Sequence, residues 1–170
     1  MIKDLKDSKG FDILHFATHG FFSTENLLKI KSKINPHQTN LELNNSGLVF
    51  ANANIVERQK ATLTAFEISE MDLSKTKLAV LSACESGLGQ VYQSEGVYGM
   101  QRAFKIAGVE YIIMSLWQVP DRETKVFMTN FYKNMIEENL SVEDAFYKTQ
   151  RQMKENLLDP VRWAGFVLLK

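Results

Sequence analysis

The sequence predicts an α/β domain built on a mainly parallel sheet with helices on both faces. Three observations carry that reading. Short, almost wholly apolar runs at residues 11–18, 77–83 and 111–117 look like strands buried on both faces of a sheet. Helical stretches of about 12 residues or more lie between the later strands, as βαβ units require. At 170 residues, with 45% hydrophobic and 24% charged residues, the chain has the size and composition of a single globular domain that can bury a real core.

The elements follow in order. Residues 11–20, FDILHFATHG, form an apolar strand that ends on His19 and Gly20. Residues 21–59 read mostly as a solvated loop. It contains a small basic cluster of Lys29, Lys31 and Lys33, expected to face solvent, then a stretch rich in Asn and Gln around Pro36 and His37. Asn44-Asn45-Ser46-Gly47 is a turn signal, and residues 46–52 then form one strand of a β-hairpin. Thr64 and Glu67 have the spacing of a capping box, which predicts a short helix to about Met71.

Residues 77–89 hold the centre of the reading. An apolar strand runs into Cys84, the only cysteine, and then into a turn-rich segment with Gly87 and Gly89. Residues 95–107 form a helix with Val97, Met100, Phe104 and Ala107 on one face and Gly108 at its C-terminal cap. After the strand at 111–117, Asp121 can cap a helix to about Glu138 that carries Phe127, Met128, Phe131 and Met135 on one face. Ser141 caps another, to about Asn156. Asp159-Pro160 is a turn, and residues 163–169 are a last strand.

Composition excludes several function classes. Lys+Arg and Asp+Glu number 20 each, so the chain lacks the basic excess of a bulk nucleic-acid binder. A single cysteine excludes an internal disulfide and fits a reducing, cytoplasmic setting. Three histidines and one cysteine cannot make a Cys-rich zinc site. No run approaches the ~18 apolar residues of a membrane span, and the first ten residues are too charged for a signal peptide. Gly87 and Gly89 suggest a phosphate loop, but no Gly-Lys-Ser/Thr follows. No cofactor is expected.

The chemistry points instead to a thiol. A residue at the carboxyl end of a buried parallel strand lies where open α/β sheets place their ligand crevices. A free thiol has a pKa of about 8.5, so it needs a base to act near neutrality. His19 ends the other apolar strand and supplies one, and two strands delivering one half each of a Cys/His pair to the same sheet edge form a specific constellation. Taken alone, Cys84 would more often be a small buried hydrophobe. His15, four residues before His19, is more often a structural histidine than a metal ligand beside Cys84.

Several separated motifs now resemble a known family. His15-Phe16-Ala17-Thr18-His19-Gly20, Ser46-Gly47-Leu48, Leu81 to Gly89, Glu95-Gly96-Val97, Ala103-Phe104, Ser115-Leu116-Trp117 and Trp163-Ala164-Gly165-Phe166 occur in the order seen in CHAT domains. These are caspase-like cysteine peptidases of the clan that includes separase, legumain and gingipains. The segment Ala83 to Gly87 also resembles the nucleophile segment of legumain.

The resemblance implies a caspase-type sheet and a thiol endopeptidase with Cys84 as nucleophile and His19 as base. It places the Gly20 and Cys84 amides in the oxyanion hole, and pocket residues at Ser82, Ser115, Trp117 and Asp121. A glycine suits the hole because a backbone donor must come within about 3 Å of the oxyanion. It also implies a protein or peptide substrate, regulatory repeat or sensor domains as partners, and no direct contact with nucleic acid or membrane. Because the chain starts almost at the histidine strand, it is expected to be the C-terminal, catalytic portion of the domain, without the family's N-terminal strands.

Two pocket features depart from relatives. Ser82 stands where legumain has glutamate, and Gln118-Val119-Pro120-Asp121 contains one acid where the family usually has a pair. Asp121 either lines the pocket, favouring a basic substrate residue, or only caps the following helix. Two other functions remain compatible with the sequence: a catalytically silent caspase-like binding module, and another acyl-transfer enzyme with the same dyad.

Overall fold

The computed structural model describes residues 11–22, 43, 46–51, 61–82, 93–156 and 159–170. In chain order these contain β1 (Ile13–Phe16), β2 (His19–Phe22), β3 (Ser46–Val49), β4 (Thr62–Thr64), α1 (Ala65–Ser69), β5 (Leu78–Leu81) and α2 (Gln93–Ile106). They continue with β6 (Tyr111–Ser115), α3 (Asp121–Tyr132), a π-helical turn (Lys133–Glu137), α4 (Val142–Asn156), a 3-10 turn (Pro160–Arg162) and β7 (Phe166–Leu169).

The strands form two sheets. The larger has the order β1-β5-β6-β7, with β1, β5 and β6 parallel and β7 antiparallel at the edge. Every residue of β5 and β6 is buried, as their apolar runs require. On one face, Leu14, Phe16, Ala79, Leu81, Ile112 and Met114 pack with Ile68 of α1 and with Met100, Ala103 and Phe104 of α2. On the other, Leu78, Val80 and Ile113 pack with Phe127 and Phe131 of α3 and Phe146 of α4. A two-residue alternation along each strand therefore feeds two cores, one on each side. Full burial of a side chain such as Phe104 or Phe127 contributes about 1.5–3 kcal/mol.

The smaller sheet is antiparallel, β2-β3-β4, and packs against α2 through β2 and β3. It departs from the sequence reading in two ways. Phe21 and Phe22 belong to a strand rather than to a loop. Ser46 and Gly47 open a strand as expected, but they pair with Phe22 and Phe21 in the middle strand of three instead of forming a turn. Gly47 serves close approach, not a turn: a Cβ there would lie 2.6 Å from the Leu63 carbonyl oxygen and 2.7 Å from the Phe21 ring. The basic cluster at Lys29, Lys31 and Lys33 and the stretch around Pro36 and His37 lie outside the described residues.

The helix punctuation follows the sequence at three points. Thr64 Oγ1 accepts from the Glu67 amide at 3.1 Å, and the Glu67 carboxylate accepts from the Thr64 amide at 2.9 Å, completing the capping box of α1. Ser141 Oγ accepts from the Asp144 amide at the start of α4. Gly108 ends α2 with φ +98. The helix after β6 differs, because α3 gives way to the π turn after Tyr132.

Candidate active site

β1 and β5 are neighbours in parallel register, Phe16 opposite Leu81, so their carboxyl ends leave the sheet side by side. One further ladder bond, Ser82 N–H to the Phe16 carbonyl at 3.1 Å, holds the two ends together. Cys84, its amide, and the segment with Gly87 and Gly89 lie outside the described residues.

His19 is not the end of β1. The first strand stops at Phe16, and Ala17 and Thr18 lead into β2, which His19 opens. His19 therefore belongs to the smaller sheet, opposite Val49, with Gly20 opposite Leu48. The expectation that His19 ends a strand of the same sheet as the residue 77–83 strand is corrected here: His19 opens a strand of the smaller sheet. The physical reason is antiparallel pairing with β3, which draws the chain away from the β1 direction. The Thr18 hydroxyl, donating to the Val49 carbonyl, fixes the crossing point. The His19 side chain is exposed.

His15 carries a connected set of contacts. Its Nε2 lies 3.1 Å from Ser82 Oγ and its Nδ1 lies 3.0 Å from the Tyr132 hydroxyl. Ser82 Oγ in turn donates to the Phe16 carbonyl at 3.3 Å. The His15 and Tyr132 rings meet at 5.7 Å between centroids. The His15 side chain is exposed overall, but partial desolvation lowers its pKa from the ordinary 6.5. Burial also pushes the Tyr132 phenol up to about 12. His15 thus acts as the hydrogen-bonded structural histidine that the sequence favoured. Tyr132 was not foreseen; its only signal is its place beside the Phe127/Phe131 stripe.

The remaining pocket candidates follow β6, the next strand in the sheet. Ser115 is buried at its end, opposite Phe166. Trp117 is 36% exposed, and its indole N–H donates to the Val161 carbonyl at 2.8 Å. Asp121 is exposed in the first turn of α3. It does not cap that helix: Pro120 is the N-cap, no side chain bonds there, and the Thr124 amide donates to the Pro120 carbonyl. The capping alternative for Asp121 is therefore set aside. The buried acid of this turn is Glu123, which accepts from Arg162 Nη1 at 3.0 Å. Sequence reasoning passed over it, although Glu123 lies four residues before Phe127 on the apolar stripe, where an acid needs a partner. Among the described residues, no three His, Cys, Asp or Glu side chains gather as a metal site. No helix among them is long and apolar enough to cross a membrane.

The structure thus brings Ser82 and His15 together at the carboxyl ends of β1 and β5, with Ser115 ending the adjacent strand. The CHAT domain family matches residues 1–170. The chain belongs to the CHAT domain family. A CHAT domain is a caspase-like α/β fold, and the mainly parallel sheet between two helical layers agrees with it. This CHAT domain is similar to tetratricopeptide repeat protein 28 of Homo sapiens, 31% identical over 113 residues that cover 65% of this chain. The Mus musculus protein of the same name is 32% identical over 109 residues, or 63% of the chain. The match spans only 4% of the length of either relative.

Proposed function

We propose that this CHAT domain is a cysteine endopeptidase with Cys84 as nucleophile and His19 as general base. The observation that carries the reading is one of register. Phe16 and Leu81 are paired across adjacent parallel strands, and His19 and Cys84 each lie three residues beyond that pair. The chain thus leaves the paired ends of β1 and β5 within three residues of each proposed partner, at the carboxyl edge where α/β folds bind ligands.

In this reading His19 takes the thiol proton and the thiolate attacks a peptide carbonyl. The tetrahedral oxyanion is held by the Gly20 and Cys84 amides. It collapses to a thioester as the protonated imidazole gives its proton to the leaving amine, and water then hydrolyses the thioester. Ser82, Ser115, Trp117 and Asp121 line the substrate groove. Asp121, exposed and free of a capping role, would favour a basic residue before the scissile bond. The relatives are named for tetratricopeptide repeats, which supports a setting in which attached repeats regulate a cytoplasmic catalytic portion.

Intact-mass measurement after a panel of peptidyl electrophiles tests this directly. A single adduct is expected on Cys84, with strongest labelling by peptides carrying Arg or Lys before the electrophile. Cys84→Ala should keep its fold and lose all cleavage, and Asp121→Asn should lose the basic preference. Equal turnover by wild type and Cys84→Ala would exclude the mechanism. The relatives' names describe repeats rather than a reaction, which favours a second reading, a silent binding module. That reading expects no adduct with any peptide.

A further inference from the structure

We propose that His15 is a positioning residue for the nucleophile segment, fixing Ser82, two residues ahead of Cys84, through a one-directional hydrogen-bond chain anchored by Tyr132. This rests on the reading of Cys84 as the nucleophile.

The direction of the chain follows from its two ends. The Ser82 hydroxyl donates to the Phe16 carbonyl, so towards His15 its oxygen accepts, and Nε2 carries the proton. In the neutral imidazole Nδ1 must then accept, which makes the Tyr132 hydroxyl the donor. Each proton has one acceptor, from Tyr132 to His15 to Ser82 to the backbone of β1. Desolvation raises the Tyr132 phenol and lowers the His15 imidazole, which suits a chain of neutral groups in either direction.

Ser82 is consequently held twice, by its amide and its hydroxyl, to the same Phe16 carbonyl. It follows Leu81, the last residue of β5, and stands two residues before Cys84 in the chain. A second observation marks this as a built arrangement. The α-helical ladder of α3 ends at Tyr132, and the π turn begins at the next residue. Such turns are rare and cluster at functional sites. Buried Asn134 secures this one, donating to Thr149 Oγ1 at 2.9 Å and to Gln152 Oε1 at 3.1 Å on α4.

The test compares wild type, His15→Leu, His15→Gln and Tyr132→Phe, each checked for folding by circular dichroism. The rate of Cys84 modification is measured with a panel of peptidyl acyloxymethyl ketones and, separately, with iodoacetamide. A positioning role predicts that His15→Leu and Tyr132→Phe react with the best peptidyl probe about 10- to 10²-fold more slowly, the cost of a small misplacement. Iodoacetamide, which needs no aligned carbonyl, should be affected far less. His15→Gln, which keeps a donor towards Ser82, should recover most of the loss. Nitrogen-15 NMR of the wild type should show His15 protonated at Nε2.

Unchanged peptidyl rates in folded His15→Leu and Tyr132→Phe overturn the inference alone. So does a His15→Gln protein as slow as His15→Leu, an Nδ1-protonated ring, or an adduct on Ser82. A wild type unmodified by every peptidyl probe sinks the peptidase reading itself, and this inference with it.

Discussion

At the scale of single residues, His19 and His15 stand in different surroundings. The His19 side chain is exposed where β2 begins. His15 is tied at both ring nitrogens. If His19 is the general base, His19→Ala should lower peptide turnover by about 10²-fold or more. It should also slow thiol alkylation near pH 7; alkylation at the free-cysteine rate in both proteins would rule that role out. His15 makes a separate prediction about folding. Its pKa lies below 6.5 in the folded chain, so between the two values the unfolded state binds more protons. Stability then rises with pH across that window and falls as pH drops from about 6.5. Urea titrations at stepwise lower pH should show this loss in wild type and a smaller one in His15→Gln. The sequence made Cys84 and His19 candidates because each follows an apolar run, yet His19 opens β2 rather than ending β1. The sequence could not reveal the Tyr132 contact, which joins residues 117 apart in the chain.

At the scale of elements, burial decided what was readable. The strands around residues 78–81 and 111–115 are buried on both faces, and their unbroken apolar runs announce it. The capping box and the serine cap of α4 were readable because their partners lie three residues away. β2 gave no such signal. Its four residues, HGFF, are made a strand by pairing with β3 across a long sequence gap. The π turn was equally hidden, since Phe131 and Met135 keep ordinary helical spacing through it. Its cause is tertiary, the buried amide of Asn134 reaching α4. Asn134→Ala should therefore cost about 1–3 kcal/mol, the range for breaking a buried hydrogen-bond set. Chemical denaturation would check this, and a loss below about 0.5 kcal/mol would mean that the amide does not hold the turn.

At the scale of the whole molecule, the order of motifs disclosed the family and the sheet, while the division into two sheets had to be seen. Among the described residues β1 is the outer strand of the large sheet, with no strand paired to its far side. An uncovered strand edge invites pairing with another chain. The protein should therefore self-associate in sedimentation runs at rising concentration, and Ile13→Lys, on that edge strand, should weaken the association. A well-behaved monomer at high concentration would contradict this.

The change of sheet at Ala17 and Thr18, between β1 and β2, has a mechanical meaning. In the peptidase reading, the imidazole belongs to the small three-stranded sheet and not to the central one. Its position is then a property of how that sheet seats on α2, not of β1. A regulator that pressed on β3 or β4, the strands without proposed site residues, would shift the base that β2 carries. Such control would show as a change in alkylation rate alongside altered hydrogen exchange in β2 and β3, with β5 and β6 unaffected.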